Sequence, residues 1–331
     1  MEGASVLDKC GVFVFSFGKR PPTIDSMVDM AQHAERLGFD SVQTAWHFTV
    51  PTEGPHWDNR FLLDPFVVLP VLAAKTNRIR LSLNSGILPT MHPYMWAKYL
   101  ASLDVVSGGR TIPALAVGWW REDFQVGRTD TSERGRRFDE GLDIVTKLWK
   151  GETITQAGTY WDATGLVLDP LPSPTMPLWI GGNEKSIDRA GRWAQGLNPL
   201  WPTIDQIRNV YRPGLDAAAE KYGRPRPTLA VLNFCIVIEK DDKPAWVQDH
   251  VLPLLRQHLK DRDPDQSIVY GSPEQCAEIV SNLFEAGADY LIFETNFHGW
   301  ETEEFGKEQM DRFVRDVVPL LEKKTSARLT N

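Results

Sequence analysis

Cysteine is scarce in this chain and badly placed for pairing. Cys10, Cys235 and Cys276 are odd in number and far apart, with no C-x-x-C pair. That spacing argues against a disulfide framework and against a zinc ribbon. Long apolar runs are missing too: none reaches the ~18 to 20 residues that a membrane-spanning helix needs. Basic clusters are absent. The chain has 36 Lys and Arg against 44 Asp and Glu, a net charge of −8, and no Lys/Arg-rich run. Nucleic acid and anionic membrane surfaces are therefore poor partners. Metal motifs are lacking: there is no HxH or HExxH, and His47, His56, His250 and His258 have no Asp/Glu cluster beside them. No metal site is expected. No G-x-G-x-x-G turn or Walker loop occurs either, which argues against a Rossmann-type nicotinamide site. The first ten residues carry Glu2 and Asp8 and no basic segment ahead of an apolar one. A secretory leader is not expected there, and a cytoplasmic protein with reduced thiols is.

What the sequence does have is alternation. Short β-rich apolar runs alternate with amphipathic stretches along the whole chain. Residues 12–17 read as a strand. Residues 23–37 read as a helix, with Ile24, Met27, Val28, Ala31 and Ala34 at helical spacing and Gly38 as its stop. Further strands are expected at 40–46, 79–87, 111–117, 178–180, 229–238 and 289–294. Helices are expected at 64–75, 92–106, 186–194, 205–222, 272–287 and 309–321, the last with a kink at Pro319. Asp130 and Glu133 have the spacing of a capping box for a helix ending at Gly151. About eight strand-then-helix units imply parallel strands, because parallel neighbours need a long crossover. The expected fold is an α/β (β/α)8 TIM barrel forming a single domain over residues 1–331. Such a barrel needs roughly 250 residues. The surplus is assigned to insertions at 151–177 and 261–271. An open doubly wound sheet is the alternative.

In a barrel, chemistry sits where the strands end. Those ends carry Trp46 and His47; Asn84, Ser85, Gly86 and Ile87; Gly118, Trp119 and Trp120; Gly181, Gly182 and Asn183; Asn198 and Trp201; and Phe297 and His298. The rim is aromatic, polar and glycine-bearing, which suits a flat conjugated ligand better than a metal ion. His47 stands before a loop holding His56 and Trp57. Residues 180–186 run from a strand through Gly181 and Gly182 into a helix start at Asn183, Lys185 and Ser186. Backbone N–H groups at such a start favour a phosphate.

The order and spacing of several stretches resemble the bacterial luciferase-like flavin monooxygenases. They are 34–42 (AERLGFDSV), 46–49 (WHFT), 103–110 (LDVVSGGR), 117–124 (VGWWREDF), 133–140 (ERGRRFDE), 148–152 (LWKGE), 177–182 (PLWIGG) and 270–274 (YGSPE). The likeness runs from about residue 12 to 322. It implies a luciferase-like (β/α)8 barrel and an oxidoreductase. By position, it implies that His47 lies in the flavin pocket as the catalytic group. Ser85, Gly86 and Ile87 would form a bulge behind the flavin ring, often with a non-prolyl cis peptide. Gly118 and Trp119 would lie near the ring. Gly181, Gly182, Asn183, Lys185, Ser186 and Tyr160 would hold its phosphate. Trp46, His56, Trp57, Trp201 and His298 are expected to contact a small, mostly apolar organic substrate. Luciferase itself has a histidine where this chain has Trp46, which argues against light emission. The resemblance implies first a two-component monooxygenase using O2 and reduced FMN from a separate reductase. The alternatives are a deazaflavin (coenzyme F420) enzyme that moves hydride without O2, and a flavin-binding protein without turnover. A homodimer is expected.

Overall fold

A computed structural model describes residues 5–14, 22–49, 62–155, 157–238, 264–295 and 302–329, together with 245, 247–253 and 256. Nine parallel strands alternate with helices: β1 (Cys10–Phe13), α1 (Ile24–Leu37), β2 (Ser41–Thr44), α2 (Pro65–Lys75), β3 (Arg80–Ile87), α3 (Pro93–Ser107) and β4 (Thr111–Ala116). These are followed by α4 (Arg121–Val126), α5 (Arg134–Trp149), β5 (Trp179–Gly181), α6 (Ile187–Trp193), β6 (Gly196–Asn198), α7 (Ile204–Gln206), α8 (Arg212–Tyr222) and β7 (Thr228–Val237). The chain closes with β8 (Ile268–Gly271), α9 (Pro273–Ala286), β9 (Tyr290–Glu294), α10 (Glu303–Arg312) and α11 (Val318–Leu329). Strands β1 to β7 and β9 pair side by side in a ring closed by the β6–β7 contact, and β8 adds to the upper half of β7. The result is a closed eight-stranded parallel barrel wrapped by helices, with an extra strand.

Local chemistry sets the helix ends. Thr23 accepts from the Ser26 amide at 3.1 Å while the Ser26 hydroxyl accepts from the Thr23 amide, so two orphan donors are satisfied at once. Gly38 ends α1 at φ 94°, a left-handed conformation that glycine adopts without a Cβ penalty. Asp64 caps α2, Pro65 takes its first position, and Ser272 with Gln275 boxes α9. The Asp130–Glu133 box is a correction: Asp130 accepts from the Ser132 amide in a local turn, and α5 starts after Glu133 without a side-chain cap. Two strands went unread. Gly196, two residues past the helix expected at 186–194, opens β6, where the Trp179 ring fills the space a Cβ would need. The second expected insertion carries β8, while its residues 261–263 lie outside the described ones. The closing helix runs through Pro319 to Leu329, with a wider turn at Phe313–Val317 ahead of it.

Alternation along each strand divides the buried residues. One row faces outward and packs under the helices, including Val12, Val42, Leu83, Leu197, Val231 and Phe293. The inward row, including Phe13, Ile112, Ala114, Trp179, Leu232 and Ile292, fills the barrel. Along β2 and β3 the inward row is polar and forms a chain. The Asn84 amide donates to Gln43 at 2.7 Å, Gln43 to Ser41 at 3.4 Å, and Ser41 meets Tyr290 at 2.6 Å. Tyr290 then donates to Asp40 at 2.7 Å, and Asp40 is ion-paired with Arg80. This relay links the barrel floor to the strand ends where a ligand would sit. The 151–177 segment buries Ile154, Ala163 and Leu168 in the outer core. Glu140 of α5 holds that segment by accepting from the amides of Thr159, Tyr160 and Trp161.

Candidate active site

His47 follows β2 and is fixed from a different element. Its Nδ1 donates to the Asp123 carboxylate at 2.6 Å, and the other carboxylate oxygen accepts from the Phe48 amide at 2.8 Å. Asp123 lies in the first turn of α4 and is fully buried. Trp120, just ahead of α4, stacks on the imidazole with ring centroids 3.6 Å apart and planes inclined by 21°. The ring is thus clamped in plane and in tautomer: the hydrogen is on Nδ1, and Nε2 is the nitrogen left for a ligand. Sequence reasoning found His47 and passed over Asp123 and Trp120 as partners. The available signal was an acid three residues after a strand-end tryptophan, on a short helix too brief to show periodicity.

Beside this pair, β3 breaks register between Leu83 and Gly86, and the Asn84–Ser85 peptide is cis. The bulge expected at Ser85–Ile87 is therefore present, and its cis bond is the one before Ser85. Ser85 donates to the Asn84 side chain at 3.0 Å. Gly86 leaves space taken by the Trp96 ring. Gly118, at φ 84°, leaves space taken by Ile87 and Phe124. Gly86 thus lets Trp96 of α3 press onto β3, and Gly118 lets the segment after β4 close on Ile87 of β3.

The expected phosphate cradle is tightly built. Ser85 fills the space beside Gly181, and Ser186 fills the space beside Gly182. Asn183 accepts from the Lys185 amide at 3.1 Å, and Lys185 is exposed. Tyr160 sits under the Arg137 guanidinium, 4.9 Å from its ring centroid, with Arg136 at 5.9 Å. Both places border α5, through the Asp139–Arg189 ion pair on one side and Glu140 on the other.

The remaining sequence-expected residues are placed as follows. Trp46 is 1 % exposed and packs edge-on against Trp96 at 4.8 Å, in the core between barrel and helices. Trp119 is 58 % exposed, meeting Trp120 edge-on at 5.2 Å. Trp201 is buried in the mouth and stacks on Phe234 at 5.4 Å. His56, Trp57 and His298 lie outside the described residues. One residue at the mouth had not been singled out. Glu294 ends β9 on the inward row, next to Phe234 in register, and is 2 % exposed. Burial pushes its carboxyl up to about 8, and a hydrogen bond from Trp201 works in the opposite direction. Among the described residues no group of three or more His, Cys, Asp or Glu is arranged to hold a metal, and no helix is long and apolar enough to cross a membrane.

These residues fit a flat redox cofactor. Asn198 points inward at the mouth with both amide atoms unpartnered, so the strand ends offer polar contacts that the protein itself does not use. The mouth is walled by aromatic rings, as a conjugated ring system requires.

The match to known proteins agrees with this geometry. The model of the luciferase-like monooxygenase family matches residues 9–257, and the chain belongs to that family. It is accordingly an enzyme, a luciferase-like oxidoreductase. It is 25 % identical to the F420-dependent glucose-6-phosphate dehydrogenase of Microbacterium testaceum, over 91 % of this chain and 94 % of that one. It is 28 % identical to the oxygenase component of the flavin-dependent trigonelline monooxygenase of Acinetobacter baylyi, over 48 % of this chain and 43 % of the other. Among solved structures, an F420-dependent secondary alcohol dehydrogenase superposes with a TM-score of 0.79 at 18 % identity, covering 95 % of this chain and 98 % of that one.

Proposed function

We propose that the chain is a deazaflavin-dependent oxidoreductase that removes a hydride from an alcohol carbon, or returns one to a carbonyl carbon, without O2. The observation that carries this reading is the His47–Asp123 pair at the barrel mouth. The F420-dependent relatives matched over nearly their whole length support it over the FMN reading that the residue resemblance put first. Bound deazaflavin supplies the hydride acceptor or donor. His47 Nε2 takes the hydroxyl proton as hydride leaves an alcohol, and returns it in the reverse direction. Asp123 holds the imidazole in the tautomer that leaves Nε2 free and stabilises the ring once it carries two protons. Trp120 prevents the ring from swinging. Ser85 and Gly118 shape the seat behind the cofactor ring, and Asn183, Ser186 and Tyr160 border its phosphate.

The test is a titration of the purified chain with coenzyme F420 and with FMN, followed by anaerobic turnover. F420 binding and its reduction by an alcohol without O2 support the reading. Binding of FMN alone, with substrate consumed only when a reductase and O2 are present, overturns it. That outcome would support the second reading, a two-component FMN monooxygenase, which rests on the similarity to the trigonelline monooxygenase oxygenase component.

A further inference from the structure

Glu294 is the acidic group at the barrel mouth that the His47–Asp123 pair does not use. It sits on the inward row four residues above Tyr290 and two above Ile292. Its registered neighbour on β7 is Phe234, and Trp201 stacks on that ring. Trp201 holds a left-handed φ of 44°, unusual for a residue with a side chain. Glu294 Oε2 has no hydrogen-bond partner, and at β6 both amide atoms of Asn198 are equally unpartnered while the residue is 0 % exposed. By register Asn198 stands beside Ala230 of β7, four residues before Phe234, the neighbour of Glu294, so its free amide lies deeper in the barrel than the Glu294 carboxyl. Buried polar atoms left unpaired in this way are costly, and they call for a ligand that pairs them.

We propose that Glu294 forms a subsite for an uncharged oxygen of the substrate, so that the chain acts on a neutral alcohol–ketone pair and not on a phosphate or carboxylate. The proposal rests on the oxidoreductase reading above and names its substrate class. The wall around the subsite is apolar: Phe13, Leu232, Phe234, Trp201 and Ile292. No Lys or Arg stands on the inward strand row at the mouth among the described residues. An anionic substrate would meet no counter-charge from that described row. The groups facing Glu294 are Trp201 from the β6–α7 connection, Phe234 from β7 and, lower on its own strand, Tyr290, whose hydroxyl is committed to Ser41 and Asp40. Residues 15–21 and 296–301 lie outside the described residues. Burial keeps the carboxyl protonated near neutral pH, so it donates as well as accepts. A ketone needs that donor, whereas an alcohol can donate to the carboxylate.

The experiment is titration calorimetry of the wild-type chain, Glu294→Gln and Glu294→Leu, with cyclohexanone, cyclohexanol and cyclohexanecarboxylate as probes at pH 7 and 9. In the wild type, cyclohexanone affinity should fall about tenfold from pH 7 to 9 as the donor ionises around pH 8, while cyclohexanol affinity holds. Glu294→Gln keeps an N–H donor and should bind cyclohexanone equally at both pH values. Glu294→Leu should lose about tenfold at pH 7. Cyclohexanecarboxylate should bind none of the three. The proposal is overturned by wild-type and leucine proteins that bind the ketone alike, by a wild type that does not bind it at pH 7, by a ketone affinity insensitive to pH, or by preference for the carboxylate. Quenching of FMN and F420 fluorescence in the same proteins reads the cofactor separately. If neither cofactor binds the wild type, the oxidoreductase reading fails by itself, and the ketone titrations still decide the subsite.

Discussion

Replacing Glu294 by glutamine should flatten the pH dependence of folding stability by a calculable amount. The side chain is enclosed in the barrel mouth, and burial raises its carboxyl from the ordinary 4.5 to about 8. A raised acid keeps its proton in the folded state after the unfolded chain has released it. The folded state therefore binds more protons between those two values, and stability falls as pH rises. Below about pH 4.5 the group costs nothing. Between about 5 and 8 the loss accumulates at ~1.4 kcal/mol per pH unit, and above about 8 it levels off. The full difference of about 3.5 units corresponds to about 5 kcal/mol, a large share of the ~5–15 kcal/mol typical of a folded domain. Glutamine has the same shape and no charge to desolvate. Urea unfolding of both proteins at pH 5, 6, 7, 8 and 9 gives the difference curve, in which the remaining titrating groups cancel. Glu294→Gln should gain on the wild type by several kcal/mol across that range, with the gain flattening above pH 8. Parallel stability curves would show that the carboxyl ionises normally and that its enclosure has been misread.

Asp123→Asn removes the charge that orients His47 and should lower kcat about 100-fold with little change in KM, because proton transfer by a positioned base contributes on that order. A proportional rise in KM with kcat intact would refute the positioning role. Gln43→Leu cuts the relay between Asn84 and Ser41, leaving the buried Asn84 amide N–H unpaired while Ser41 keeps Tyr290, and should cost about 1–3 kcal/mol in urea unfolding. Gly118→Ala forces a side chain into a left-handed residue whose Cβ would overlap Ile87 and lie 3.0 Å from Phe124. It should destabilise by about 1–3 kcal/mol and weaken cofactor binding, both read by thermal melting with and without cofactor.

The barrel was legible because its signals are local. The apolar face of α1, the Thr23 cap and the Gly38 stop are all contained in one stretch of sixteen residues. The same holds for Asp64 with Pro65, and for Ser272 with Gln275 and Gly287. Units whose signal is short were missed. Strand β6 has three residues and begins with glycine, and its identity depends on a tryptophan from β5 occupying the missing side chain's place. His47 was legible from its position at a strand end. Its partner Asp123 was not, because 76 residues of chain separate them and only the pairing of β2 and β4 on either side of β3 brings their ends together.

Taken by itself, the amino-acid sequence determined the alternation of strand and helix, the parallel barrel that this alternation requires, and the luciferase-like family. The alternation and the barrel follow from periodicity and caps that act within a few residues, and the family from the resemblance of stretches such as 117–124 (VGWWREDF). Which side of the wall each strand-end side chain occupies was decided by tertiary structure. Trp46 and His47 are adjacent in sequence, yet one is sealed under the helices and the other is clamped at the mouth. The same closure turns Glu294, an ordinary carboxylate in the sequence, into a neutral acid, because only the assembled wall of Trp201 and Phe234 removes water from around it.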